Sequence, residues 1–162
     1  MKIIYKKGNL LDAQTDVIAH QVNCQGVMGA GLAKQIRDKW PEVFNAYKYY
    51  VNLVAFDHHT EKLLGRCFMV LNTEKQYIAN LFGQDNYGRD GKRYTSYDAI
   101  YESLISLASQ MIGDGMTSLA IPYKMSSDRG GADWDVILAM IKSPYVFGNT
   151  NITIEIWQLE QF

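Results

Sequence analysis

Residues Asn23 to Ala33 read Asn-Cys-Gln-Gly-Val-Met-Gly-Ala-Gly-Leu-Ala, and they carry the strongest chemical signal in the chain. The apolar run Val17-Ile18-Ala19 leads into them through His20, Gln21 and Val22, and an amphipathic helical pattern begins directly after them. Strand, glycine turn and helix in that order aim backbone N–H groups and the positive end of a helix at an anion, most often a phosphate. Glycine is useful there because a Cβ would hold the main chain away from the ligand. A second small-residue stretch, Ser126-Ser127-Asp128-Arg129-Gly130-Gly131, follows the short apolar run Ser118 to Ile121 and Pro122. Two such loops point to a nucleotide-like ligand.

Common phosphate motifs do not account for the first loop. A P-loop needs Gly, four residues and Gly-Lys-Ser/Thr, and no such string occurs. A dinucleotide fingerprint needs a third glycine, which Gly29-Ala30-Gly31-Leu32-Ala33-Lys34 lacks, and an acidic residue about 20 positions on. The region near position 50 instead reads Tyr49-Tyr50-Val51-Asn52. A tight turn with glycines used only for packing stays open on this evidence. No metal is implied: His58 and His59 are adjacent, and Cys24 and Cys67 have no ligand spacing. No cofactor is expected.

The 162 residues fit one domain, read as a single unit over 1–162, large enough to bury roughly two thirds of the unfolded surface. With 16 basic and 17 acidic side chains the formal net charge is -1, so no basic field recommends nucleic acid as the main partner. Two cysteines are too few for a disulfide framework, which favours a reduced, cytoplasmic setting. The opening Met1-Lys2-Ile3-Ile4-Tyr5 has no signal-peptide core, and no apolar run spans a bilayer, so no membrane partner is expected. The oligomeric state is not legible.

Periodicity then supplies the elements that must hold the loops. Strands are predicted over Lys2 to Lys7, Asp16 to Asn23, Leu63 to Leu71, Gln76 to Phe82, Ser118 to Ile121 and Ile152 to Leu159. Helices are predicted from Gly29 (Leu32, Ala33, Ile36, Trp40), from Pro41 (Val43, Phe44, Tyr47, Val51), and near Trp134 (Ile137, Leu138, Ile141). The clearest stripe is Tyr97, Ile100, Tyr101, Leu104, Ile105, Ala108 and Ile112. The polar stretch Gly83 to Arg93 is either a lid or a solvated surface loop. Alternating strands and helices indicate an α/β layer structure with a mainly parallel sheet, which binds ligands at strand C-terminal ends.

Several strings together resemble the macrodomain family. They are Lys7-Gly8-Asn9-Leu10-Leu11, Asp16 to His20, the loop Asn23 to Ala33, Leu64-Gly65-Arg66-Cys67, Asn80-Leu81-Phe82, Ile121-Pro122 with its loop, and Ile154 to Leu159. The branch resembled most is that of ADP-ribose-1″-phosphate phosphatases and small phage-type macrodomains. The resemblance implies a three-layer α/β/α sandwich with a mixed, largely parallel sheet, binding ADP-ribose or ADP-ribose-1″-phosphate across the strand ends. On that basis Asn9 accepts from the adenine amino group, Asn23 holds the distal ribose, and Trp157 stacks on adenine. Gly29, Ala30 and Gly31 form the first diphosphate loop; Ser126, Ser127, Asp128, Arg129 and Gly130 fall on the second. Leu10, Met28, Leu32 and Pro122 belong to the same motifs and are expected around the ligand.

Departures matter too. Relatives are richer in glycine at the second loop, where this chain has Ser126-Ser127-Asp128. Relatives that remove ADP-ribose from glutamate use a lysine after the strand ending near Phe82; Gln84 stands there and cannot form an imine. For hydrolysis of ADP-ribose-1″-phosphate, or a related ADP-ribose ester, His20 matches a histidine of the phosphatase-like members and is expected as acid or base near neutral pH. Asp128 is the carboxylate expected to activate water. A binding module without turnover, or a sequestering module for an ADP-ribose-derived signal, uses the same shell.

Overall fold

Six strands order themselves by how much of each is apolar on both faces. In the computed structural model, which describes residues 1–159, they are β1 (Lys2–Lys7), β2 (Val17–Val22), β3 (Cys67–Leu71), β4 (Tyr77–Phe82), β5 (Ser118–Pro122) and β6 (Thr153–Gln158). They form one sheet in the order β1-β6-β5-β2-β4-β3. Every pairing is parallel except β3 with β4. The near-continuous runs Val-Ile-Ala in β2 and Ile-Ala-Asn-Leu-Phe in β4 are buried and lie in the interior, as a sheet covered on both faces requires. The Lys-flanked β1 takes an edge.

Helices α1 (Gly31–Lys39) and α2 (Pro41–Val54) cover one face, and α3 (Tyr97–Gly113) and α4 (Trp134–Lys142) the other. Alternation along β2 sorts its side chains: Val17 and Ala19 pack with α3 and α4, while Ile18 packs with Ile36 and Trp40. The three-layer α/β/α architecture and the mixed, largely parallel sheet agree with the expectation. Pro41 opens α2, and Trp40 at the corner between α1 and α2 is fully buried.

The differences are local. Leu63 lies in a 3₁₀ turn, Thr60–Leu63, rather than in β3, which starts only at Cys67. The α3 stripe is rotated from the predicted one: Leu107 and Met111 are buried, whereas Ile105 and Ile112 are exposed. Several apolar residues compete for the face there, and contact with the sheet decides which win. A 3₁₀ turn at Leu10–Asp12 and a π-helical turn at Pro144–Gly148 have no periodic signal in the sequence.

Candidate functional site

The connection from β2 runs toward β4 and the connection from β5 runs toward β6, so the chain leaves these neighbouring strands in opposite directions. That reversal opens a crevice at their C-terminal ends, the place where open α/β sheets bind ligands. A cleft of about 610 Å³ sits there. Its walls are the loop after β2 (Asn23, Val27, Gly29, Ala30), the first turn of α1, the loop after β5 (Tyr123 to Ser126 and Asp128 to Gly130), and Gln84, Tyr87, Gly88 and Arg89 after β4.

The first loop is tied down behind the cleft. Asn23 Oδ1 accepts from Gln25 N at 2.9 Å and Tyr47 Oη at 3.0 Å, while its Nδ2 donates to Val27 O at 2.8 Å. Tyr47 Oη also lies 2.6 Å from Asn23 O, and burial raises its pKa, keeping the phenol a donor. Asp85 accepts from Gln25 Nε2 at 2.9 Å and Thr60 Oγ1 at 2.7 Å. Burial, assisted by the Asp85 charge, pushes the Cys24 thiol up to about 12, so it is no nucleophile at neutral pH. Beyond this tethered turn the chain enters α1 with no side chain capping its N-terminus. The first-turn residues Gly31, Leu32 and Ala33 line the cleft, so the positive end of the helix lies at its wall without a side-chain cap.

The second loop has a different construction. Lys124 and Ser126 both have positive φ, 59° and 69°, although neither is glycine. Ser126 is nearly buried, and its Oγ donates to Gln21 Oε1 at 2.7 Å. Asp128 and Arg129 are exposed at the lip of the cleft. The loop after β4 is pinched at its base by an antiparallel bridge between Gln84 and Thr95 and carries Tyr87 and Arg89 over the cleft.

Of the residues expected from sequence, the cleft brings together His20, Asn23, Gly29, Ala30, Gly31, Leu32, Pro122, Ser126, Asp128, Arg129 and Gly130. Five lie outside its lining. The Met28 side chain is buried, and Ser127 Oγ reaches back 3.4 Å to Met125 O. Asn9 caps the turn that holds buried Leu10, accepting from Leu11 N at 3.0 Å, so its oxygen is engaged within the chain. Trp157 packs against Gly8 and donates from Nε1 to Glu155 at 2.9 Å. Asn9, Leu10 and Trp157 nonetheless end β1 or β6 on the same edge of the sheet as the cleft.

His20 sits in an environment unlike that of an exposed acid or base. It is fully enclosed, and burial lowers its pKa to about 4 despite the hydrogen bond to Asn80. Asn80 Nδ2 donates to Phe68 O at 3.0 Å, which turns Oδ1 toward His20 Nε2 at 2.8 Å and assigns the imidazole proton to Nε2. Its Nδ1 has no partner among the described residues. Burial therefore favours the neutral side chain at pH 7. Sequence reasoning passed over Gln21, Val27, Tyr123, Lys124 and Met125. Only Gln21, an amide next to His20 near the end of a mostly apolar strand, gave a signal.

Among the described residues no cluster of His, Cys, Asp and Glu is placed to hold a metal, and no helix is long and apolar enough to cross a membrane. No family model matches the chain. It is 29% identical over 146 residues to a DNA ADP-ribosyl glycohydrolase of Mycobacterium tuberculosis, covering 88% of this chain but only 38% of that protein. It is 25% identical to an ADP-ribose 1″-phosphate phosphatase of Meyerozyma guilliermondii, over 93% of this chain and 98% of the yeast protein. Its backbone superposes on the macrodomain of M. tuberculosis DarG with a TM-score of 0.76 at 24% identity, over 96% of both chains. The chain has the macrodomain fold. Within this fold the cleft, the uncapped helix and the two loops coincide at one switch point of the sheet.

Proposed function

We propose that this macrodomain binds ADP-ribose and hydrolyses ADP-ribose-1″-phosphate or a related ADP-ribose ester. The observation that carries the reading is the uncapped N-terminus of α1, opening onto a cleft whose opposite wall is the loop holding Lys124 and Arg129. A pyrophosphate there would meet main-chain donors on one side and cations on the other. The yeast and mycobacterial relatives, named for ADP-ribose 1″-phosphate and ADP-ribosyl hydrolysis, support the same ligand. Asn9, Leu10 and Trp157, farther along the strand ends, are assigned to the adenine side, with Met28 and Ser127 acting through the loop backbones. Two unpaired thiols fit a reducing cytoplasm.

For turnover, Asp128 takes the proton of the attacking water as that oxygen bonds phosphorus and the bond from phosphorus to the ribose oxygen breaks. The proton then passes to the leaving ribose oxygen. The Asp128 carboxylate stands at the cleft mouth with no hydrogen-bonded side-chain partner among the described residues. Arg129 and the α1 amides would offset charge building on the phosphoryl oxygens. His20 contributes a buried imidazole to the floor, held neutral at pH 7 by desolvation. That neutrality favours a second reading, a binding module without turnover. Calorimetry with ADP-ribose and a phosphate-release assay with ADP-ribose-1″-phosphate test both. Release that drops about a hundredfold in Asp128→Ala, with ADP-ribose affinity retained, supports the enzyme. Binding without release supports the module; no binding overturns both.

A further inference from the structure

Gln21 is the last polar side chain of β2 before the first loop, yet it points away from that loop. Its Nε2 donates to Gln84 Oε1 at 2.6 Å and to Thr95 Oγ1 at 2.9 Å; its Oε1 accepts from Ser126 Oγ at 2.7 Å. Thr95 Oγ1 passes its own proton to Ser126 O at 3.0 Å, and Gln84 Nε2 donates to Asn86 O at 2.9 Å. Every donor in this chain of bonds meets an acceptor, which fixes the Gln21 amide in a single orientation. Gly130 closes the cluster from above: a Cβ there would stand 2.9 Å from Gln21 Nε2 and 2.5 Å from Ser126 O.

Two facts make the cluster more than packing. Gln84 and Thr95 are the two sides of the neck that pinches the loop bearing Tyr87 and Arg89. Ser126 holds a left-handed backbone, φ 69°, that a residue with a Cβ enters only when its surroundings impose it. The bonds at Ser126 Oγ and O are what impose it.

We infer that Gln21 is a positioning residue, one amide that locks the second loop and the neck of the Tyr87–Arg89 loop in the geometry that accepts ligand. Although it also lines the cleft, the role assigned to it is exerted through those loops. The inference rests on the ADP-ribose reading for its binding arm and on nothing but the apo protein for its exchange arm.

The test uses amide hydrogen exchange of the ligand-free chain together with ADP-ribose calorimetry. In Gln21→Ala, exchange over residues 84–89 and 126–131 rises about tenfold while α3 keeps its protection, and ADP-ribose binds about tenfold more weakly. Ser126→Gly removes the backbone penalty, so adding Gln21→Ala to it weakens binding by less than about threefold; that non-additivity marks positioning rather than general loss of stability. Should Gln21→Ala fail to fold, Ser126→Ala keeps Gln21 and breaks only the Oγ bond, with faster exchange over 126–131 expected. Unchanged exchange in both loops, or full additivity in the double variant, overturns the inference. A wild-type chain that ignores ADP-ribose overturns the ligand reading alone, because the exchange arm still reports on Gln21.

Discussion

The two loops that face each other across the cleft reach open, ligand-ready shapes by opposite means. The loop after β2 uses glycines and is anchored from behind by Tyr47 and Asp85. The loop after β5 places Lys124 and Ser126, residues with side chains, in left-handed backbone and holds the second of them with hydrogen bonds. Conformational freedom makes the first wall; imposed conformation makes the second. The first is therefore tolerant of small additions and the second is not, although both wall the same space.

The largest effect should come from the imposed side. In Gly130→Ala the new Cβ would stand 2.3 Å from Thr95 Oγ1 and 2.5 Å from Ser126 O, and backbone cannot yield as a side-chain tip can. A loss of about 3 kcal/mol in denaturant unfolding is expected, with ADP-ribose binding weakened at least about a hundredfold. A stable, fully binding Gly130→Ala would erase the contrast between the loops.

Acid should act beneath both walls together, because both loops spring from the strand layer that encloses His20. Its folded pKa of about 4 lies below the ordinary value of 6.5, so the unfolded chain binds the extra proton between those values. Stability is then full above pH 6.5 and falls on acidification, by about 2 kcal/mol at pH 5. Urea melts at pH 7 and pH 5 measure it, and His20→Leu should flatten the difference.

Tyr47→Phe sharpens the comparison from the other side. Removing the hydroxyl leaves Asn23 O without its donor while Oδ1 keeps Gln25 N, at about 1.5 kcal/mol. Faster amide exchange should appear over residues 23–31 and not over 126–131. Equal loosening of both loops would show that they do not move independently.

The smallest effects separate two glycines of one motif. Gly31 has φ 58° with open space around it, so Gly31→Ala should cost about 1 kcal/mol through backbone strain alone. Gly29 has no left-handed φ, and its Cβ would meet only Val27 Cγ1 at 3.5 Å; Gly29→Ala should stay within about 0.5 kcal/mol. Thermal melts on the pair decide it.

This asymmetry also explains which parts could be read from sequence. Glycines, apolar strands and the Pro41 helix start announce themselves because each type has few uses, and the first loop and the layer order follow from them. Ser126 gave no sign of a left-handed backbone, since what holds it there is an amide 105 residues away in the chain. The buried state of His20 is likewise set by neighbours distant in the chain, Asn80 of β4 among them. Asn9 looked like a free acceptor because the 3₁₀ turn it caps leaves no periodic trace.

Among the described residues the edge strand β1 pairs only with β6, matching Lys2 to Thr153 and Lys7 to Gln158. Residues some 150 positions apart must meet before the chain's first segment gains a neighbour, and closing so long a span is slow. During folding the turn at Asn9 and Leu10 should therefore be among the last parts to settle, leaving one end of the sheet unfinished until the final strand docks.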